Sequence, residues 1–276
     1  MAEDLRLAFI GGGNMASALA SGLIGKHCSA ADIHVVDPSA SALNAWARRG
    51  VSAASAADRT LERYGVWLFA VKPQVLKTAV QACRPFLRPE TLVVSIAAGV
   101  RAGTVAAWLG GDDGPHDRLV RCMPNTPALI GEGVSGLMAL TGASADDKAL
   151  AERLLGAVGR VVWVADDAAI DVVTALSGSG PAYVFLFLEA MVAAAVSQGL
   201  TAEQARILAL DTLGGATKLA ATSPEPLSRL RERVTSKGGT TAAALEVFRQ
   251  ERFEAIVAQA MAAARDRAAA MAAEFH

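Results

Sequence analysis

Histidine, cysteine and aromatic side chains are scarce in this chain, and its net charge is close to zero. The three cysteines, Cys28, Cys83 and Cys122, are odd in number, far apart and without CxxC spacing. That pattern argues against both a disulfide framework and a structural metal site, so no metal is expected, and it fits a reducing cytoplasm. A formal charge of -1 gives no long-range field, and nucleic acid is not expected as a partner. Glu3 and Asp4 precede a short apolar run that stops at Gly11, which reads as neither a signal peptide nor a transit sequence. The most apolar segment, Pro181 to Val196, is shorter than a membrane span and carries Glu189; it reads as a buried helix, with no membrane partner.

What remains is a chain of 276 residues that is 53% hydrophobic but only 5% aromatic, rich in Ala, Leu and Val. That composition suits helices packed on a parallel sheet, and the length suits two domains. Leu5 to Ile10 reads as a buried strand running into Gly11-Gly12-Gly13-Asn14-Met15-Ala16 and then helix-compatible Ser17 to Lys26. This is the strand, glycine turn and helix of a dinucleotide-binding Rossmann fold. Gly11 would make the tight turn, Gly13 would admit the pyrophosphate and Ala16 would allow close helix packing. The alternative is an ordinary glycine-rich turn.

A second strand, Ile33 to Val36, ends at Asp37, where this fold meets the adenosine ribose. A carboxylate there accepts from ribose hydroxyls and repels a 2′-phosphate, favouring NAD over NADP; followed by Pro38, it also reads as a turn residue. Further strand-like runs cover Val66 to Val71, Leu92 to Ile96, Leu119 to Met123, Val134 to Leu140 and Val161 to Val164. At their ends stand Ala70-Val71-Lys72-Pro73-Gln74, Ala97-Ala98-Gly99 and Met123-Pro-Asn125-Thr-Pro127, where an open α/β sheet binds its ligand. Lys72 also reads as a solvated strand-end lysine. Asn125 is aimed by flanking prolines, or else forms an Asx-turn.

After Val164 strand signals cease. The fold is therefore α/β, an N-terminal Rossmann domain with a mostly parallel sheet over residues 1–164 and an all-helical domain over 165–276. Asp166-Asp167 starts a helix that Ser177-Gly-Ser-Gly-Pro181 breaks, Thr201 and Gln204 form a capping box, Pro224 and Pro226 interrupt, and an Ala-rich helix runs from Ala242 to about Ala273. A helix apolar all round, such as Tyr183 to Val196, needs cover on every side, from an interlocked dimer or from a small internal bundle. Between these helices lies Val234-Thr-Ser236-Lys-Gly238-Gly239-Thr240-Thr241. Its glycines and hydroxyls ahead of a helix make an anion-binding loop, or a plain helix start with Thr240 or Thr241 as N-cap.

Together these stretches resemble the pyrroline-5-carboxylate reductases: Ile10 to Met15, Ala70 to Gln74, Met123 to Pro127, Asp171 to Tyr183 and Val234 to Thr241, in that order. The first is common to many dehydrogenases, whereas the last two are specific. The resemblance implies reduction of the cyclic imine 1-pyrroline-5-carboxylate to L-proline, the last step of proline biosynthesis, with NADPH or NADH as hydride donor. It implies an intertwined homodimer, often assembled into a larger ring. Cofactor contacts would fall on Ile10, Gly11, Gly12, Gly13, Asn14, Met15, Asp37, Ala70, Val71, Lys72, Pro73, Ala97, Ala98 and Gly99. Substrate contacts would fall on Asn125, Ser236, Gly238, Gly239, Thr240 and Thr241, with Thr241 as the catalytic residue. Lys237 stands where the family usually has Pro, and Ala57 where members often carry Asn.

The chemistry fits the scarcity of histidine. His27, His34, His116 and His276 form no evident constellation, and a basic imine needs no strong enzymic acid. Two other readings are open. A hydroxyisobutyrate-type dehydrogenase would require a catalytic lysine, for which Lys218 is the nearby candidate; a non-catalytic NAD-binding protein would leave Thr241 and Asn125 idle.

Overall fold

The computed structural model describes residues 5–111 and 114–275; Glu3, Asp4 and His276 lie outside them. Eight strands form one sheet: β1 (Leu7–Ile10), β2 (Ile33–Val36), β3 (Ser52–Ala54), β4 (Val66–Phe69), β5 (Leu92–Ser95), β6 (Leu119–Met123), β7 (Gly133–Ala139) and β8 (Gly159–Trp163). Their order is β3-β2-β1-β4-β5-β6-β7-β8, parallel throughout except that β6 and β7 pair antiparallel. The carboxyl ends of β1 to β6 thus share one edge. The order reverses between β1 and β4, the switch point at which such sheets bind ligands.

Strands covered on both faces read as near-continuous apolar runs, and alternate residues here enter two separate cores. Leu7, Phe9, Ile33, Val35, Leu68 and Val94 pack under α1 (Asn14–Leu23), α2 (Ala40–Arg48) and α5 (Ala145–Gly156). Ala8, Ile10, Trp67, Phe69 and Val93 pack under α3 (Pro73–Cys83), α4 (Ala102–Leu109) and α6 (Asp167–Val173). Each fully buried Leu, Ile or Phe contributes about 1.5–3 kcal/mol. The short edge strand β3 is made of Ser and Ala and carries no apolar run that would announce it.

The remaining helices are α7 (Gly180–Ser197), α8 (Ala202–Thr222), α9 (Leu227–Arg233), α10 (Thr240–Gln250) and α11 (Phe253–Ala273). Thr201 and Gln204 do form the reciprocal capping box, at 3.2 and 3.0 Å. Two compact units result: residues through Ser179 with those from Ala263 onward, and Gly180–Ala262.

Three expectations are corrected. The Ser177 to Pro181 stretch does not break the helix; it passes through a π-turn at Thr174–Gly178, with Ser179 N–H donating to the Thr174 carbonyl at 2.8 Å. One helical run therefore spans Asp167–Ser197, long and apolar enough by length and composition to cross a membrane. Nor is α7 a buried helix within one chain, for Leu186 is 67% exposed. Finally, the Ala-rich C-terminal helix is two helices. They meet at Arg252, whose φ of 55° turns the chain so that Phe253 packs edge-on against Phe248 at 5.3 Å between ring centroids.

Candidate active site

At the end of β1, Gly11 takes φ +101°, and a methyl group there would sit 2.7 Å from the Ala70 carbonyl oxygen. Backbone conformation and lack of space both require glycine. The Gly12 N–H donates to Asp37 Oδ2 at 2.8 Å, and its carbonyl accepts from Trp46 Nε1 at 3.0 Å. Gly13 is the N-cap of α1 with φ -76°; no side chain caps the helix, and a Cβ at Gly13 would meet nothing within 4 Å. The first turn of α1 thus has no capping side chain, and its N-cap stands beside open space, which fits the pyrophosphate of a dinucleotide. Ile10 is buried behind the turn, Asn14 is exposed and Met15 packs partly into the core.

The neighbouring strand ends are knitted to this turn. Ala70 N–H donates to the Ile10 carbonyl at 2.8 Å, and Ile96 N–H to the Phe69 carbonyl at 3.1 Å. Val71 lies against Gly11, while exposed Lys72 is the N-cap of α3 with Pro73 at its first position. Asp37 also accepts from Ser39 N–H at 2.8 Å, so one carboxylate ties down both the glycine turn and the start of α2. Ala97 is buried and Ala98 half-buried. Gly99, at φ +71°, would place a methyl 2.8 Å from Met271 Cβ, so its need for glycine comes from α11 packing on the loop.

Asn125 is almost enclosed, and both ends of its amide are engaged. Its Oδ1 accepts from Val134 N–H at 2.9 Å, and its Nδ2 donates to the Ser177 carbonyl at 3.1 Å. That carbonyl is the one an α-helix would bond to residue 181, and Pro181 has no N–H to give. Nearby, Arg121 on β6 is 1% exposed, and its guanidinium bonds Asp167 and lies 3.5 Å from Asp171 Oδ1. Asp167 also accepts from Ala102 N–H at 3.3 Å, fixing the start of α4 just beyond the Ala97 to Gly99 loop. Burial pushes the Asp171 carboxyl up, with Arg121 opposing. Sequence reasoning missed this cluster and Trp46. The available signal was Arg121 itself, because a charge inside Leu119-Val-Arg-Cys-Met123 demands buried partners.

The loop at residues 234–241 belongs to the Gly180–Ala262 unit. Its Gly238 has φ +73° with open space around it, and Gly239 N–H donates to the Ser236 carbonyl at 3.0 Å. Gly239, not a threonine, is the N-cap of α10, and no side chain caps it. Thr240 and Thr241 are therefore the first two helical residues, with their hydroxyls free of capping duty; Thr241 is half-buried, and Ser236, Lys237 and Thr240 are exposed. His34 and His116 are engaged by other groups: His34 Nδ1 is 2.9 Å from Ser52 Oγ, His116 Nε2 is 2.9 Å from the Thr91 carbonyl, and burial pushes both imidazoles down.

A parallel sheet with a glycine turn and open helix N-terminus at its switch point defines a dinucleotide-binding protein of the Rossmann class. Residues 6–99 match the family model described as NADP oxidoreductase coenzyme F420-dependent, and residues 167–271 match that described as pyrroline-5-carboxylate reductase dimerisation. The pyrroline-5-carboxylate reductase of Pseudomonas aeruginosa is 45% identical over 270 residues, covering 97% of each chain. Among solved structures, the Coxiella burnetii pyrroline-5-carboxylate reductase aligns with TM-score 0.88 at 36% identity, covering 98% of this chain and 99% of that one. The Plasmodium falciparum pyrroline carboxylate reductase with NADP bound aligns with TM-score 0.85 at 29% identity, covering 99% and 100%. The chain belongs to the pyrroline-5-carboxylate reductase family.

Proposed function

We infer the following division of labour for this family member. The chain is an NAD(P)H-dependent oxidoreductase that reduces the C=N bond of 1-pyrroline-5-carboxylate to L-proline, the last step of proline biosynthesis, and it oligomerises through its helical region. Residues 1–164 bind the dinucleotide; residues 165–276 bind the imine and form a homodimer, which assembles further into a ring. The enzyme works in the cytoplasm, and a second copy covers α7 in place of lipid. Glu189, lodged within that apolar helix, and the dimerisation match over residues 167–271 support this.

The observation that carries the cofactor assignment is the open, uncapped N-terminus of α1 at Gly13. Bound NAD(P)H supplies the hydride that the imine carbon accepts, while the C=N electron pair moves onto the ring nitrogen, which holds the proton. The chain's own residues orient and shield. Gly11, Gly12, Gly13 and Asn14 seat the pyrophosphate, with Ile10 and Met15 behind them. Ala70, Val71, Lys72, Pro73, Ala97, Ala98 and Gly99 wall the neighbouring strand ends. Ser236, Gly238 and Thr240 hold the substrate carboxylate with backbone N–H groups at the positive end of α10, while Gly239 closes the turn beneath it through its N–H on the Ser236 carbonyl. Thr241 places its hydroxyl at the ring nitrogen, and Asn125 acts through position, fastening the turn after β6 to the π-turn. A protonated imine needs little acid strength, so positioning dominates.

Asp37 sets the choice of cofactor, because its carboxylate would face a 2′-phosphate. The test is to follow NADH and NADPH oxidation with pyrroline-5-carboxylate, in the parent and in Asp37→Ser. Imine-dependent turnover is expected with both, and the variant should shift the kcat/KM ratio toward NADPH by about tenfold. Absence of imine-dependent oxidation would refute the function, and an unchanged ratio would reduce Asp37 to a turn residue.

A further inference from the structure

The glycine turn is held by a side chain outside every motif described above. Trp46 lies on α2, 2% exposed, with its ring stacked on Phe9 of β1 at 6.2 Å between centroids. Its Nε1 donates to the Gly12 carbonyl at 3.0 Å. A Cβ on Gly12 would come within 2.6 Å of that nitrogen, so the indole edge rests directly on the glycine. Arg49 lies over the indole at 4.6 Å and donates to Ser17 Oγ and Ser21 Oγ on α1, each at 2.9 Å. The indole is thus held by β1 and by a cation that is itself anchored to α1.

The peptide bond explains why this matters. The Gly12 carbonyl and the Gly13 N–H belong to one planar trans unit, in which the two groups point in opposite directions. Fixing the carbonyl on Trp46 therefore aims the Gly13 N–H away from the indole, and a side chain built on Gly13 would meet nothing within 4 Å. The preceding peptide is fixed separately, through Gly12 N–H on Asp37. Glycine-rich backbone would otherwise sample many orientations of these planes.

We propose that Trp46 is a positioning residue for the dinucleotide, its indole N–H locking the Gly12–Gly13 peptide plane so that the Gly13 amide meets the pyrophosphate. This rests on the reading of the glycine turn as the pyrophosphate seat. The measurement is the dissociation constant of NADPH and of NADH, by fluorescence titration of the full chain, with KM and kcat for cofactor and imine and a melting temperature for each variant. Trp46→Phe keeps an aromatic ring and removes the donor. It should weaken both cofactors about threefold to tenfold, with kcat at saturating cofactor and KM for the imine unchanged. Trp67→Phe is the control, because Trp67 is fully buried and donates to the Leu61 carbonyl at 3.3 Å on the opposite face of the sheet. It should lower the melting temperature without changing cofactor affinity.

Gly13→Val tests the seat itself, since the new side chain enters open space at an ordinary φ. If Gly13→Val weakens the cofactor while Trp46→Phe binds it as the parent does, the brace is wrong and the seat stands. If Gly13→Val binds normally, the seat and the brace fall together. Should Trp46→Phe not fold, Arg49→Met frees the indole without removing its donor. Cofactor affinity unchanged in that variant would overturn the proposal, and a loss exceeding that of Trp67→Phe would support it.

Discussion

In the sheet unit, side chains as large as Trp67, Phe9 and Phe69 are fully enclosed. In Gly180–Ala262, among the described residues, only Ala205 and Ala209 are buried, while Phe185, Leu186, Leu208 and Ile256 are each more than half exposed. Both units are built from similarly apolar sequence. The sheet unit gains its hydrophobic stabilisation within one chain, because a strand offers two faces and helices cover both. The helical unit has α7 lying against α8 with little else over it, so most of its apolar surface leaves water only on association.

Putting a charge into the uncovered surface should break the contrast most severely. Leu186 is 67% exposed in the single chain, so Leu186→Glu removes little that one chain needs for its own fold. Light scattering should show loss of the parent oligomer, as dissociated or aggregated protein without turnover. A folded, fully active monomer would mean that the exposed face has no structural partner. Next comes Thr241→Val, which probes the chemistry of the helical unit separately from its assembly. A hydrogen bond to a charged nitrogen is worth about 1.5–3 kcal/mol, so kcat/KM for the imine should fall about tenfold to a hundredfold. Because Gly239 is the cap, the melting temperature should barely move. A lowered melting temperature with normal kcat/KM would make Thr241 structural.

The smallest effect belongs to the closed sheet core. Burial holds the His34 imidazole below its ordinary value of 6.5. The fold therefore prefers the neutral ring, and this contribution is complete above that value and lost progressively as pH falls through it. His116 shifts in the same direction, and the carboxylates whose values are lowered titrate further down. The melting temperature should drop between pH 7 and pH 5.5, and less so in His34→Gln. Equal drops in both proteins would acquit His34.

The glycine turn, the strand ends and the turn ahead of α10 were legible because their local conformation is written in neighbouring residues. Ser52-Ala53-Ala54 was not, since an edge strand of small residues draws its order from pairing with β2. The bend at Arg252 has no Gly or Pro to mark it; what accompanies it is the packing of Phe253 on Phe248. Ser177-Gly-Ser-Gly-Pro181 reads as a break under local rules, yet a distant amide, Asn125, takes the carbonyl that Pro181 leaves free. Trp46 and Arg121 act through partners 34 and 46 residues away, at Gly12 and Asp167. Only three-dimensional proximity makes those partners visible.

The sheet unit also contains Met271, which fills the space over Gly99, and the buried Ala268 and Ala272. During synthesis these residues leave the ribosome only after the whole of Gly180–Ala262 has been made, a delay on the order of ten seconds at ordinary translation rates. Until then the loop at Ala97 to Gly99 lacks its cover, although every strand of the sheet is already present. The nascent chain thus has its whole sheet long before the loop after β5 can settle, and the helices of Gly180–Ala262 emerge before that loop is covered.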